Sequence, residues 1–150
     1  MLSRLAFVAV AGTALVAAVG CGGGDGSESL SRQEFIQEAE AICERAKSDS
    51  DALAEPQTDV EVIEFGEQNV SILERMISDL GELEPPSELK ADVEGWLALA
   101  DRQVTTGGDF IEAFREQDEA QVQELVTQLE ETEQQADALA AKIGMTCGVD

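Results

Sequence analysis

Apolar residues return every three or four positions over most of the chain from Ser31 to Asp150, and almost no stretch alternates with a period of two. A spacing of three to four residues places apolar side chains on one face of an α-helix, whereas strict alternation indicates a β-strand. The pattern therefore predicts an all-α domain. Polar links and prolines divide the pattern into four apolar stripes that follow one another along the chain.

The first two stripes begin with sequences that favour the start of a helix. Ser31 and Glu34 form a capping box, because a hydroxyl and a carboxylate at this spacing can satisfy two backbone groups that lack helical partners. Thr58 and Glu61 repeat this spacing at the start of the second helix. The first helix should end before Pro56. The stripes consist of Phe35, Ala39, Ile42, Ala46 and Leu53 in the first helix, and of Val62, Phe65, Asn69, Leu73, Met76, Leu80 and Leu83 in the second.

The third stripe follows Pro85 and Pro86 and keeps its phase across Gly107 and Gly108. This continuity favours one long helix, but each glycine costs about 1 kcal/mol in a helix interior, so a kink or a loop at the pair is the alternative. Asp118 can cap the fourth helix. The stripes consist of Leu89, Val93, Trp96, Leu97, Ala100, Val104, Ile111 and Phe114 in the third helix, and of Val122, Leu125, Val126, Leu129, Ala136, Leu139, Ala140 and Ile143 in the fourth.

Four helices joined by short links predict an up-down-up-down four-helix bundle. The stripes contain many alanines and few aromatic residues, which predicts close helix packing without a large internal cavity. Trp96 is the only tryptophan. Its place in the third stripe favours a core position over the alternative, an anchor for a partner protein.

The segment before the domain predicts export. An uncharged apolar run from Leu5 to Val19 follows Arg4, and it is shorter than the about 20 residues that a helix needs to cross a bilayer. We therefore expect residues 1–20 to be a signal peptide. Ala18, Val19 and Gly20 before Cys21 resemble the lipobox of bacterial lipoproteins, which implies that Cys21 is lipidated; an ordinary cleaved signal peptide is the alternative.

The residues after Cys21 are rich in glycine and serine, so residues 21–30 are predicted to be the lipidated cysteine and a flexible tether. The acidic helical domain then spans residues 31–150. Two acyl chains on one cysteine give durable attachment. We therefore expect the domain to be anchored to the cell membrane, on its extracytoplasmic face.

The charge of the chain restricts its partners. It has 32 acidic and 9 basic residues, which give a net charge of -23. A surface with this much negative charge repels the phosphate backbone of nucleic acids, so nucleic acid is not expected as a partner. Cationic or neutral partners are expected, although the charge also has a simpler interpretation, in which it only keeps the protein soluble.

The two remaining cysteines are Cys43, in the first helix, and Cys147, just after the fourth. In an up-down-up-down bundle the fourth helix lies beside the first, and a tail of four residues reaches at most about 13 Å. The exported location is oxidising, which predicts a disulfide between Cys43 and Cys147. Two unpaired buried thiols are the alternative.

The chain resembles a family of uncharacterised small helical lipoproteins of high-GC Gram-positive bacteria. The resemblance covers most of the chain after Cys21 and implies the same fold, location and disulfide. It implies no activity, because the family has none assigned. The residues that carry it are Phe35, Ala39, Ile42, Cys43, Pro85, Pro86, Gly144 and Cys147.

The absence of histidine excludes the usual serine–histidine and cysteine–histidine catalysis, as well as the common di-iron and haem sites of helical bundles. We expect no catalytic residues, no enzyme activity and no cofactor. Glu130, Glu133 and Asp137 are weak candidates for a calcium site, but calcium prefers six to eight oxygens from a folded loop. A solvated helix face is the favoured interpretation of these acids.

Two functions remain. The sequence favours a non-catalytic binding or interaction module of the cell envelope, with an envelope protein or a small ligand as its partner. The alternative is a carrier of a small apolar ligand or cation between the helices. A carrier needs an internal pocket lined by the apolar stripes, whereas an interaction module needs an exposed apolar patch among the acids.

Overall fold

The structure, a computed structural model, describes residues 30–147. The predicted signal peptide, the predicted anchor Cys21 and the tether through residue 29 lie outside the described residues, as do residues 148–150. The described chain forms four α-helices and no strands, which confirms the all-α prediction. The helices are α1 (Arg32–Asp51), α2 (Asp59–Gly81), α3 (Lys90–Glu116) and α4 (Glu119–Ile143).

Each helix packs on the next one along the chain, and the packed neighbours run in opposite directions. The backbone N–H of Leu30 donates to the carbonyl of Glu84 at 3.1 Å, which places the start of α1 beside the end of α2. The guanidinium of Arg32 donates to the carbonyl of Ile143 at 2.9 Å, so α4 ends beside the start of α1. The arrangement is the predicted four-helix bundle.

Local side-chain caps explain where three of the helices begin. The capping box of Ser31 and Glu34 is formed, with the backbone N–H of Ser31 donating to the Glu34 carboxylate at 3.0 Å. Thr58 and Asp118 accept from backbone N–H groups at the starts of α2 and α4. Helix α3 starts without a side-chain cap, at Lys90, after a turn.

Helix α3 continues without a break through Gly107 and Gly108, so the structure contains the single long helix and not the kink or loop. A Cβ on Gly107 would lie 3.4 Å from Val70 Cγ2, which is ordinary van der Waals contact. The small residue therefore lies where α2 and α3 approach each other. None of the helices in the described part of the chain is long and apolar enough to cross a membrane.

The main core lies at the end of the bundle where α1 starts and α4 ends. Phe35, Ile143 and Ala39 are at most 1% exposed there. Trp96, at 5% exposure, belongs to the same core, as the third stripe predicted. The cluster consists of Phe35, Ala39, Ile42, Leu80, Leu89, Val93, Trp96, Ala100, Ala136, Ala140, Ile143, Met145 and Cys147.

The short tail after α4 folds back onto α1. Gly144 ends the helix with a φ of 97°, a left-handed conformation that glycine adopts without strain. Met145 and Cys147 are buried in the core. A disulfide joins Cys147 to Cys43, with the two Cα atoms 5.5 Å apart, in agreement with the predicted pairing.

Candidate functional site: a cleft between α1 and α4

A cleft of about 680 Å³ opens among the four helices, beside the core. Its volume is in the range of about 300–1,000 Å³ that is usual for small-molecule sites. The prediction of close packing without a large cavity was therefore wrong. Alanines permit close packing only where helices actually approach, and Ala46 of α1 and Ala136 of α4 line the open space.

Helices α1 and α4 stay apart because each packs mainly on another helix. Helix α1 packs along α2, and α4 packs along α3. The tail provides specific links between α1 and α4 at one end, through the disulfide and through Glu40, whose carboxylate accepts from the backbone N–H and the hydroxyl of Thr146 at 2.7 and 2.9 Å. Thr146 and Cys147 both line the cleft, so the tail forms its end wall.

The interior of the cleft is mainly apolar. Trp96 and Ile111 of α3 and Ile72 of α2 are buried in its walls, with exposures of 5–7%. Helix α4 contributes Leu129. All four helices contribute to the apolar lining, which includes Ala46, Val70, Ile72, Leu73, Met76, Ile77, Trp96, Ala100, Phe110, Ile111, Leu129 and Ala136.

One polar pair within the cleft is already satisfied. The hydroxyl of Ser50 donates to the Asn69 side-chain oxygen at 2.5 Å, and the Asn69 side-chain nitrogen donates to the carbonyl of Phe65 at 3.0 Å. Asn69, the polar member of the second stripe, thus links α1 to α2 at the cleft wall. A ligand would meet few polar groups in the interior that need a partner of their own.

Charged side chains line the cleft on two helices. Glu40 and Glu44 stand on α1, and Glu133 and Asp137 on α4, while Lys47 is the one basic residue of the lining. Four carboxylates against one ammonium give the lining a negative potential. Glu44 and Glu133 are exposed, and Glu40 and Asp137 are partly buried, which indicates that these charges lie near solvent while the apolar groups lie deeper.

The structure separates the three acids that were considered for a calcium site. Glu133 and Asp137 line the cleft, whereas Glu130 does not. Among residues 30–147, no group of three or more acidic, cysteine or histidine side chains is placed to hold a metal ion. The two cleft acids therefore act as part of a charged lining.

Exposed apolar groups are few on the described surface. The large apolar side chains that are exposed among residues 30–147 are Val60, on α2, and Val126, on α4, at 64% and 39%. Two isolated side chains are normal on a soluble protein and do not form a docking patch. The apolar surface that a partner molecule can reach is therefore concentrated in the cleft.

No protein-family model, curated protein or solved structure matches this chain.

The predicted stripes contain most of the apolar residues that line the cleft, but they lack Val70, Ile72, Ile77 and Phe110. Glu40 and Glu44 were also not predicted to be part of a site. A signal was present in the first stripe, where Ala46 is small and gives α1 little side-chain volume to fill a space beside α4. Such a signal is weak, because alanine is equally common where helices pack closely.

Proposed function

We propose that this protein is a non-catalytic carrier that binds a small, largely apolar ligand in the cleft between α1 and α4. The main support for the proposal is the cleft of about 680 Å³, which is lined by apolar side chains from all four helices. Removing apolar ligand surface from water contributes about 25 cal/mol per Å², which is a sufficient driving force for a small molecule. The lining offers no recognised catalytic grouping and, with no histidine in the chain, no common proton-transfer residue of neutral pH.

An interaction module of the cell envelope is the function that the sequence favoured. It requires an exposed apolar patch, and Val60 with Val126 gives that interpretation little support. The pocket that distinguishes a carrier is lined by Leu73, Trp96 and Ile111, each from a predicted stripe. We therefore favour the carrier.

We further propose that Cys21 carries the lipid and holds the domain at the extracytoplasmic face of the cell membrane. Support comes from the apolar run before Cys21 and from the pairing of Cys43 with Cys147, since disulfides persist in oxidising compartments. Intact mass of the membrane-extracted protein should show cleavage before Cys21 and added acyl chains. A product without acyl chains on Cys21, whether its leader is removed or intact, would refute the anchor.

The only tryptophan supplies a test of the carrier. Trp96 lies in the cleft wall and the chain has no tyrosine, so ultraviolet emission of the folded protein comes almost entirely from this side chain. We would titrate the full chain with N-phenyl-1-naphthylamine, a neutral apolar fluorophore. Binding in the cleft should quench Trp96 emission and raise the emission of the probe by energy transfer.

Two substitutions of alanine on α1 provide a matched pair. Ala46 is half-buried in the cleft, so the larger side chain of Ala46→Phe should occupy part of the cleft and weaken probe binding about 10-fold or more, which corresponds to about 1.4 kcal/mol. Ala41 is exposed and does not line the cleft, so Ala41→Phe should leave binding unchanged.

The apolar segment 5–19 is common to both variants, so a difference in probe affinity between them comes from binding in the cleft. Circular dichroism would confirm that both remain helical. Equal probe affinity in the two folded variants would refute the carrier.

A further inference from the structure

The charges that line the cleft narrow the class of ligand. The interior presents apolar side chains, and the more exposed part of the lining presents the carboxylates of Glu40, Glu44, Glu133 and Asp137. A ligand that fills such a cleft therefore meets apolar groups along its body and negative charge at its solvent-exposed end. A purely apolar molecule would use only the first of these features.

We propose that the cleft selects an amphiphile with a cationic head group, an alkylammonium compound in chemical class, over neutral and anionic molecules of the same chain length. This inference rests on the proposed carrier function and specifies its ligand. The head group would lie between Glu44 of α1 and Glu133 and Asp137 of α4, while the alkyl chain occupies the apolar interior.

The individual carboxylates differ in their availability. Glu40 is engaged by the N–H and hydroxyl of Thr146, so its position is held by the tail. Lys47 contributes one positive charge to the same lining. Glu44 of α1 and Glu133 and Asp137 of α4 add negative charge to the lining, and together with Glu40 they outnumber the ammonium of Lys47. An anionic head group would therefore be repelled by the net negative charge of the lining.

The preference should be moderate because the head group stays near water. An exposed ion pair strengthens binding by up to about fivefold, and two such pairs would give a preference of about 10-fold. The preference should also depend on salt, since the Debye length falls from about 30 Å at 0.01 M to about 3 Å at 1 M ionic strength. The contribution of the alkyl chain should not decrease with added salt.

The test compares three probes with the same ten-carbon chain: decyltrimethylammonium, decanol and decyl sulfate, each below the concentration at which it forms micelles. Each would displace N-phenyl-1-naphthylamine from the full chain. We expect decyltrimethylammonium to bind about 10-fold more tightly than decanol in low salt, and decyl sulfate to bind more weakly than either. In 0.5 M NaCl the preference should decrease to about twofold.

A matched pair of double variants separates the local charges from the charge of the whole chain. Glu133→Gln with Asp137→Asn removes two charges that line the cleft. It should weaken the binding of decyltrimethylammonium about 3- to 10-fold and leave the affinity for decanol unchanged. Glu130→Gln with Glu131→Gln removes two exposed charges from the same helix, outside the cleft. This control pair should change neither affinity by more than about twofold.

The outcomes distinguish this inference from the carrier function. If Ala46→Phe blocks the fluorophore but the three decyl probes bind equally, the cleft is a carrier site and the charge selection is refuted. If the two double variants weaken decyltrimethylammonium binding equally, the preference comes from the net charge of the chain. That outcome also refutes the inference. The carrier function itself would be refuted only if Ala46→Phe left the affinity for the fluorophore unchanged.

Discussion

At the scale of single residues, two helical glycines in different surroundings show how packing changes the effect of the same substitution. A Cβ on Gly66 of α2 would lie 3.0 Å from Cγ1 and 3.2 Å from Cδ1 of the buried Ile111 side chain on α3. A Cβ on Gly108 would meet nothing within 4 Å. Gly66 thus permits the close approach of α2 to α3, whereas Gly108 has no such role.

Replacing Gly108 with alanine should stabilise the protein by about 0.5–1 kcal/mol, because alanine has the higher helix propensity and the side chain projects into open space. The same change at Gly66 has the same propensity gain but forces Ile111 to move, and overpacking typically costs about 1–3 kcal/mol. Gly66→Ala should therefore be the less stable variant in urea unfolding. Equal stability of the two variants would contradict the close approach of α2 and α3.

The capping box at the start of α1 gives the fold a specific dependence on pH. The Ser31 hydroxyl, and then its backbone N–H, donate to the Glu34 carboxylate and lower its pKa below the ordinary value. A lowered pKa in the folded state stabilises the fold above the unfolded-state pKa of about 4.3, and this stabilisation is lost as pH falls through the folded-state value.

Glu34→Gln should therefore be less stable than the wild type at pH 7, and the difference should diminish as pH falls below the unfolded-state pKa and through the lowered folded-state pKa of Glu34. Urea unfolding at pH 7 and pH 3 would measure it. Glu38→Gln, on the exposed surface of the same helix, is the control for the loss of one negative charge. If the difference in stability between Glu34→Gln and the wild type is the same at pH 3 as at pH 7, the charge of Glu34 is not what stabilises the cap.

At the scale of elements, the disulfide connects α1 to the tail after α4. The two cysteines are 104 residues apart in sequence. A cross-link over such a long loop reduces the entropy of the unfolded chain, and the chain-entropy estimate for a loop of about 100 residues is about 4.7 kcal/mol. Hydrogen bonds of Arg32 and of Glu40 with the backbone after Ala141 provide additional links between the same parts of the fold.

Replacing both Cys43 and Cys147 with alanine should destabilise the fold by about 2–4 kcal/mol, somewhat less than the full entropic estimate. Thermal unfolding with and without a dithiol reductant would measure it. The reductant should lower the melting temperature of the wild type towards that of the variant and have no effect on the variant. An unchanged wild-type melting temperature under conditions that reduce the bond would contradict its stabilising role.

At the scale of the whole molecule, the excess of negative charge destabilises the compact state. Acidic residues number 32 against 9 basic ones, and the ion pairs of the described chain, such as Arg45 with Asp79 and Arg115 with Glu67, lie on the surface. Exposed pairs contribute at most about 1 kcal/mol each. We therefore expect repulsion among the unbalanced carboxylates to outweigh these ion pairs.

Sodium chloride should consequently stabilise this protein between about 0.01 and 0.5 M, because screening reduces the net repulsion more than it weakens the few ion pairs. The melting temperature followed by circular dichroism should rise with salt. The variant Glu130→Gln with Glu131→Gln, which removes two exposed charges, should show a smaller rise. A melting temperature that falls with salt would show that the ion pairs dominate.

The sequence by itself determined the four helices and the starts of three of them. It did not determine every end, because Leu53 and Leu83, which were assigned to the first two helices, lie after their last residues, Asp51 and Gly81. Helical periodicity and side-chain caps at Ser31, Thr58 and Asp118 depend on residues three or four positions apart, so they can be recognised without knowledge of the fold. The unbroken phase across Gly107 likewise favoured the single helix α3, which the structure contains. The pairing of Cys43 with Cys147 followed from the bundle topology once Cys21 had been assigned to the lipid.

Only the tertiary structure decided that the bundle contains a cleft. The cleft depends on how far α1 stands from α4, and this distance is set by the packing of α1 on α2 and of α4 on α3, between residues distant in sequence. The same packing brings Glu44 and Glu133 to one cavity. Periodicity identifies the face on which a side chain lies, but an alanine stripe fits both a close helix contact and an open space, and the separation of the helices distinguishes the two.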